Sequence, residues 1–277
     1  MNKTKVDLGP VQETLLVPLL GRALETGKRR GLLCDPKAVE IVDRLDYDFD
    51  RWRGARSLVG ACLRTRMFDE DVRDFLDMHP EGTVVEIGCG LNTRFERIDN
   101  GRARWFELDL PDSMALRRRF FEDGPRRTML EASVLDTDWH DVVAETGGPW
   151  CFVSEAVIIY LEESDVERAL RGLAERFEGA WLVTDTTSSK MVDAQKNHDV
   201  MKTMSSSSWF RWKCDDPAAL RAWGLRSLRS RTFLDAPASL RSAMPLFYRL
   251  LMIYAPWLMR RQVDGYRINR FELAGAA

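Results

Sequence analysis

Residues 84 to 94, VVEIGCGLNTR, run from an apolar stretch into two glycines, Gly88 and Gly90, with one residue between them. Glycine has no Cβ, so a ligand can approach the backbone there, and the first N–H groups of a following helix can face an anionic group. The same pattern also serves an ordinary tight turn between a strand and a helix. About twenty residues on, WFELDLP supplies Glu107 and Asp109. A carboxylate at the end of the second strand of a nucleotide-binding fold accepts from both ribose hydroxyls. Strand alternation sets the two acids on one face, so only one of them need meet the ligand. A dinucleotide fingerprint would have its third glycine where this chain has Thr93, which weakens a nicotinamide oxidoreductase reading.

Other chemistry is sparse. The histidines are His79, His140 and His198, none paired with a cysteine or another histidine at ligand spacing, so no metal site is expected. His79 precedes Pro80 and His140 follows Trp139, positions that suit structural or exposed roles. His198, in a loosely patterned segment, is the candidate general base, weighed against a solvated helix position. Around it, Met191, Met201, Met204, Trp209, Phe210 and Trp212 offer soft apolar and aromatic surface. Met204, Trp209 and Trp212 are the candidate substrate contacts, with plain core packing as the alternative. Arg64 has the planar fork that matches a carboxylate, although beside Arg66 and Asp69 it also suits a helix surface.

These residues need a frame. From Thr83 onward, short apolar runs alternate with amphipathic ones, the signature of βαβ units and a mostly parallel sheet. Expected strands are 83–87, 104–108, 127–131, 150–154 and 180–184, with strand-like stretches at 225–233 and 266–273. The fold expected is α/β, a doubly wound, mostly parallel seven-stranded Rossmann-like sheet. Pro111 can open a helix that Gly124 closes, and Ser164 with Glu167 forms a capping box before Val166, Leu170, Leu173 and Phe177. Ahead of the sheet, Leu63, Met67, Val72, Phe75 and Leu76 have helical spacing. One domain is expected, with a helical preface (1–82), a cofactor-binding half (83–185) and a substrate cap with the last strands (186–277).

Composition narrows the partners. With 41 Lys and Arg against 43 Asp and Glu, the net charge of -2 offers no basic field for nucleic acid, so a small-molecule substrate is expected. The five cysteines are scattered without a CxxC pair, which suits a reduced compartment, and the cytoplasm is the expected location. Near the N-terminus Pro18, Arg22 and Glu25 interrupt the apolar residues, which suits neither a signal peptide nor an anchor. The most apolar stretch, Pro245 to Met259, is broken by Arg249 and Pro256 and falls short of the roughly 20 residues a membrane span requires. No membrane partner is expected, and the oligomeric state is left open.

Taken in order, LRTRMFDEDVRDFL, VVEIGCGLNTR, WFELDLP, ASVLDTDW and SEAVIIYL resemble the leucine carboxyl methyltransferase superfamily. The nearer resemblance is to its bacterial branch, which includes the tetracenomycin-type polyketide carboxyl methyltransferases. TLLVPLLGRALE and the later Asp35-Pro36 also suit that branch, so the resemblance covers residues 10 to about 190. It implies an S-adenosylmethionine-dependent O-methyltransferase in secondary metabolism. Carried over by position, it implies that Arg64 pairs with the methionine carboxylate and that Gly88 and Gly90 cradle the methionine portion. Asp109 would take the ribose hydroxyls, Ser133 and Val134 would flank the adenine, and Glu155 would face the amino group. Glu86 and Asn92, within the same glycine motif, complete the expected cofactor-binding set. Two departures stand out. Ser133 replaces a frequent Asp, which passes that contact to Asp136 or to backbone groups, and Ala156 replaces the Gly of the usual EGVLMYL.

The acceptor divides on ionisation. A carboxylate is ionised at neutral pH, whereas a phenol with a pKa near 10 needs roughly 4 kcal/mol to ionise at pH 7. The scarcity of histidine is compatible with a carboxylate on a hydrophobic or polyketide-like acid. Phenolic O-methylation and a non-catalytic S-adenosylmethionine-binding protein are the alternatives.

Overall fold

The computed structural model describes residues 3–254, 257, 260 and 263–275. Its centre is a seven-stranded sheet, with β1 Thr83–Ile87, β2 Arg104–Asp109, β3 Arg127–Glu131, β4 Trp150–Ser154, β5 Trp181–Thr187, β6 Leu225–Arg231 and β7 Tyr266–Leu273. The strand order is β3-β2-β1-β4-β5-β7-β6. All pairings among β1 to β5 are parallel, and β7 runs antiparallel to both β5 and β6. The order reverses between β1 and β4, which in a doubly wound sheet opens a crevice beyond the carboxyl ends of those two strands.

Local sequence accounts for these elements. Every residue of β1 is buried, as a central strand covered on both faces requires. The helices α1 Leu16–Thr26, α2 Pro36–Arg44 and α3 Ser57–Met78 precede the sheet. On α3, Leu63, Met67, Val72, Phe75 and Leu76 all turn into the core. Asp35 caps α2 by accepting from the Ala38 N–H at 3.0 Å, with Pro36 at the first position. Between strands lie α4 Arg94–Ile98, α5 Pro111–Arg117, α6 Asp138–Ala144 and α7 Glu163–Arg176. After β5 come α8 Ser189–Ala194, a series of 3-10 turns, α9 Ala238–Ala243 and α10 Leu246–Tyr254.

Three local expectations fail. The helix opened by Pro111 ends at Arg117, and Gly124 instead forms a bridge with Arg127 that leads into β3. Ser164 lies inside α7, whose N-cap is Glu162 with no side-chain cap, so no capping box forms. The fifth strand runs to Thr187 because Asp185, Thr186 and Thr187 are buried and pair with β7, and an apolar run does not reveal a polar continuation of that kind.

Candidate cofactor and acceptor site

A cavity of about 700 Å³ opens at the β1/β4 reversal. The ends of four neighbouring strands supply one wall: Gly88 and Gly90 after β1, Asp109 at the end of β2, Ser133 and Val134 after β3, and Glu155 after β4. Arg64 of α3, Arg22 of α1 and Asn92 also line it. The facing wall comes from the segment beyond β5, including Met191, His198, Met201, Met204, Phe210 and Phe247.

The glycine turn is spent on its own geometry. Gly88 and Gly90 have φ of +64° and +45°, and a Cβ on Gly88 would run into Val157. The Cys89 N–H donates to Leu108 O at 3.0 Å and the Asn92 N–H to Cys89 O at 2.8 Å. The Gly90 N–H donates to Asp109 Oδ2 at 2.6 Å. These three N–H groups are therefore not aimed at a ligand, and α4 is only 5 residues long. Arg22, Arg56 and Arg64 line the cavity and offer cationic groups to an anionic one.

Asp109 is fixed from both sides, since the Leu110 N–H donates to Oδ1 at 2.8 Å. Burial raises its pKa, and the Gly90 and Leu110 N–H bonds counter that rise. Each carboxylate oxygen keeps a lone pair for a further donor, which is the arrangement a vicinal diol needs. Glu107, two residues earlier, is fully buried and takes Arg117 Nε at 3.0 Å and Arg127 Nε at 2.9 Å. Of the two acids in WFELDLP, Asp109 faces the cavity and Glu107 is structural.

Beneath the turn lies a buried ionic network. Arg94 donates from Nη1 to Glu86, from Nε to Asp69 at 3.0 Å and from Nη2 to Glu155 at 2.5 Å, with no side-chain exposure of its own. Glu86 is under the cavity floor rather than lining it, and accepts from Asn92 Nδ2 at 2.7 Å. Burial pushes the Glu86 carboxyl up to about 7. Glu155 also takes Arg64 Nε at 2.9 Å and Thr65 Oγ1 at 2.8 Å. Burial acts to raise its pKa, but Arg64 and Arg94 outweigh that and hold it below the ordinary carboxylate value. Arg22 and Arg97 continue the network through Asp35 and Asp69.

A second chain of contacts was not foreseen from sequence. Arg64 Nη1 donates to Tyr266 Oη at 3.4 Å, and Tyr266 donates to Asp185 Oδ2. The same carboxylate oxygen accepts the Ala156 N–H at 2.8 Å. Burial pushes Asp185 up to about 6, and its Oδ1 is buried without a partner. Ala156 has φ of +54°, so the family's glycine at this position relates to a left-handed backbone rather than to pocket width alone. Asp185 and Tyr266 could not be linked from sequence because only the pairing of β5 with β7 brings them together.

The adenine-side and acceptor-side residues sort as follows. Asp136 Oδ2 accepts the Ser133 N–H at 2.7 Å and does not line the cavity, so it shapes the turn instead of reaching a ligand. Met204 lines the cavity, whereas Trp209 does not and donates Nε1 to Met201 O at 3.3 Å. Trp212 is fully buried and stacks on Trp223, which makes it core. Phe210 takes the place expected of these tryptophans. His198 lines the cavity, but its Nδ1 accepts the N–H groups of Val200 and Met201, both at 3.3 Å. Those bonds place the neutral ring's proton on Nε2, leaving no free lone pair for a substrate. Burial further lowers its pKa. Among the described residues there is no cluster that could hold a metal ion, and no helix is long and apolar enough to cross a membrane.

The comparisons agree with this geometry. The family model for leucine carboxyl methyltransferase matches residues 16–174. The tetracenomycin polyketide synthesis O-methyltransferase TcmP of Streptomyces glaucescens is 32% identical over 84% of this chain and 86% of its own. The S-adenosyl-L-methionine-dependent methyltransferase dpfgK of Gibberella zeae is 28% identical over 64% of this chain and 65% of its own. Among solved structures, a DUF574 family protein from Streptomyces avermitilis superposes with a TM-score of 0.62 at 13% identity, covering 92% of this chain and 96% of that one.

Proposed function

From a chain that belongs to the leucine carboxyl methyltransferase family and is an S-adenosylmethionine-dependent methyltransferase, we propose that the acceptor is a carboxylate on a hydrophobic, polyketide-like acid. The residues on the strand ends fit the cofactor. Arg64 would hold its methionine carboxylate, Asp109 its ribose hydroxyls and Glu155 its amino group, with Ser133 and Val134 beside the adenine. When bound, S-adenosylmethionine supplies a methyl group on a sulfonium for in-line displacement. The protein aligns the nucleophile and excludes water, and the Met and Phe side of the cavity suits a flat apolar acceptor.

The observation that carries the reading is the state of His198. Its Nδ1 is occupied by two backbone N–H groups, and Glu155 is pinned by two arginines. Neither serves as a free base, which supports an acceptor that arrives ionised, as a carboxylic acid does at neutral pH. Methyl transfer to a phenol would instead fall to Tyr266 with Asp185 behind it, a pair whose carboxyl is pushed up to about 6.

Incubating the purified chain with methyl-labelled cofactor and matched panels of aromatic carboxylic acids and phenols tests the reading. The expected product is a methyl ester that releases labelled methanol in mild alkali. Methylation confined to the phenols, giving alkali-stable ethers, would refute it.

A further inference from the structure

The least buried apolar surface of the described chain is a single helix. On α10 and just beyond it, Leu246, Phe247, Leu250, Ile253, Tyr254 and Trp257 are 44–79% exposed, against 37–62% for the few large apolar residues exposed elsewhere. Contiguous apolar surface of this kind marks an interaction site. The same helix has an inner side, because Phe247, Tyr248 and Leu251 line the cavity. The exposed face is therefore continuous with the rim of the acceptor site.

Charge singles out the occupant. Between Asp235 and Asp264 the sequence has no acidic residue and four arginines, Arg241, Arg249, Arg260 and Arg261, in a chain whose net charge is -2. Arg241, Arg249 and Arg260 are exposed. A second copy docking through this face about a two-fold axis would bring the arginines of both copies together. An anionic bilayer surface instead accepts aromatic and aliphatic side chains at the level of its head groups and gains from each nearby cation.

We propose that α10 is a peripheral docking face for an anionic lipid surface, seated beside the mouth of the acceptor cavity. The sequence excludes a spanning helix here but does not exclude adsorption, which needs only one apolar face and flanking arginines.

Flotation of the full chain with vesicles tests this. At low ionic strength the protein should float with phosphatidylcholine vesicles containing phosphatidylglycerol and stay behind with phosphatidylcholine alone. Leu246→Ser, Leu250→Ser and Ile253→Ser together should abolish flotation while turnover of a water-soluble acceptor stays within about twofold, since none of the three lines the cavity. Arg241→Gln with Arg249→Gln, which leaves the apolar face intact, should weaken vesicle binding roughly tenfold or more, as should raised salt. Failure of the wild type to float with anionic vesicles would overturn the proposal, as would equal binding to neutral ones. A wild-type dimer that the triple variant dissociates, in the absence of vesicle binding, would assign the face to a second copy.

Discussion

On one side of the cavity, beneath the strand ends, Arg22, Arg64, Arg94 and Arg97 interlock with Asp35, Asp69, Glu86 and Glu155. On the other, from Met191 to Val263, the wall is methionine and aromatic side chains on short helices and 3-10 turns. The charged side presents fixed donors and acceptors and tolerates little change, because each buried charge depends on its neighbours. The apolar side relies on contact area and repacks readily. A ligand held by the same charged contacts in every turnover suits the first construction, and an apolar acceptor held by contact area suits the second.

The sharpest way to break this comparison is at its most shared arginine. Arg94→Ala takes one buried partner from each of three carboxylates, which keep Arg97, Asn92 and Arg64, so unfolding in denaturant should show a loss of about 3 to 5 kcal/mol, the cost of removing one partner from a buried pair. A loss below 1 kcal/mol would mean that the network contributes little to the fold.

Asp109→Ala should keep the fold at a modest cost in stability, since the Gly90 and Leu110 N–H groups lose their acceptor, and weaken S-adenosylmethionine binding a hundredfold or more, given roughly 1.5 to 3 kcal/mol for each bond to a charged group. Calorimetry giving wild-type affinity would remove Asp109 from the site. A smaller effect, about tenfold on the same affinity, is expected for Arg64→Lys. There the charge survives, but the fork that reaches Glu155 and Tyr266, proposed above to hold the methionine carboxylate, is lost.

The smallest change concerns Ala156. A non-glycine residue in the left-handed region costs about 1 to 2 kcal/mol, and glycine's extra freedom in the unfolded chain offsets about 0.4 to 1 kcal/mol of that relief. Ala156→Gly should therefore raise stability by about 1 kcal/mol or less, read as a small increase in Tm with cofactor affinity unchanged. A lower Tm would mean that the methyl group's packing outweighs the backbone strain.

The sheet was largely legible in advance. The expected strands at 83–87, 127–131, 150–154 and 266–273 coincide with β1, β3, β4 and β7; β1 and β4, central and covered on both faces, read as unbroken apolar runs, whereas β3 at the sheet edge and the antiparallel β7 read as partial alternation. The glycines and Asp109 were visible for a similar reason, since their spacing follows from strand and turn lengths. The ionic network was not visible. Arg94 ends a quoted motif and Arg22 sits within an apolar helix, yet sequence alone does not tell a buried, triply paired arginine from a solvated one. Asp185 and Tyr266 come from strands 81 residues apart in sequence, and only the β5–β7 pairing brings them together. In the cap, tryptophan content pointed to the wrong rings, since size favours full burial of Trp212 and leaves the smaller Phe210 at the cavity.

The claim that the acceptor arrives ionised and needs no base is tested most directly by single-turnover methyl transfer, measured from about pH 5 to 9 with the best acceptor found, in the wild type and in His198→Ala and Tyr266→Phe. A carboxylate acceptor predicts a flat profile, with His198→Ala slower by only a few fold and the same flat shape in Tyr266→Phe. A base near the value burial gives Asp185, about 6, is deprotonated only above that pH. A rate that climbs as pH rises through that value and falls a hundredfold or more in Tyr266→Phe would contradict the account.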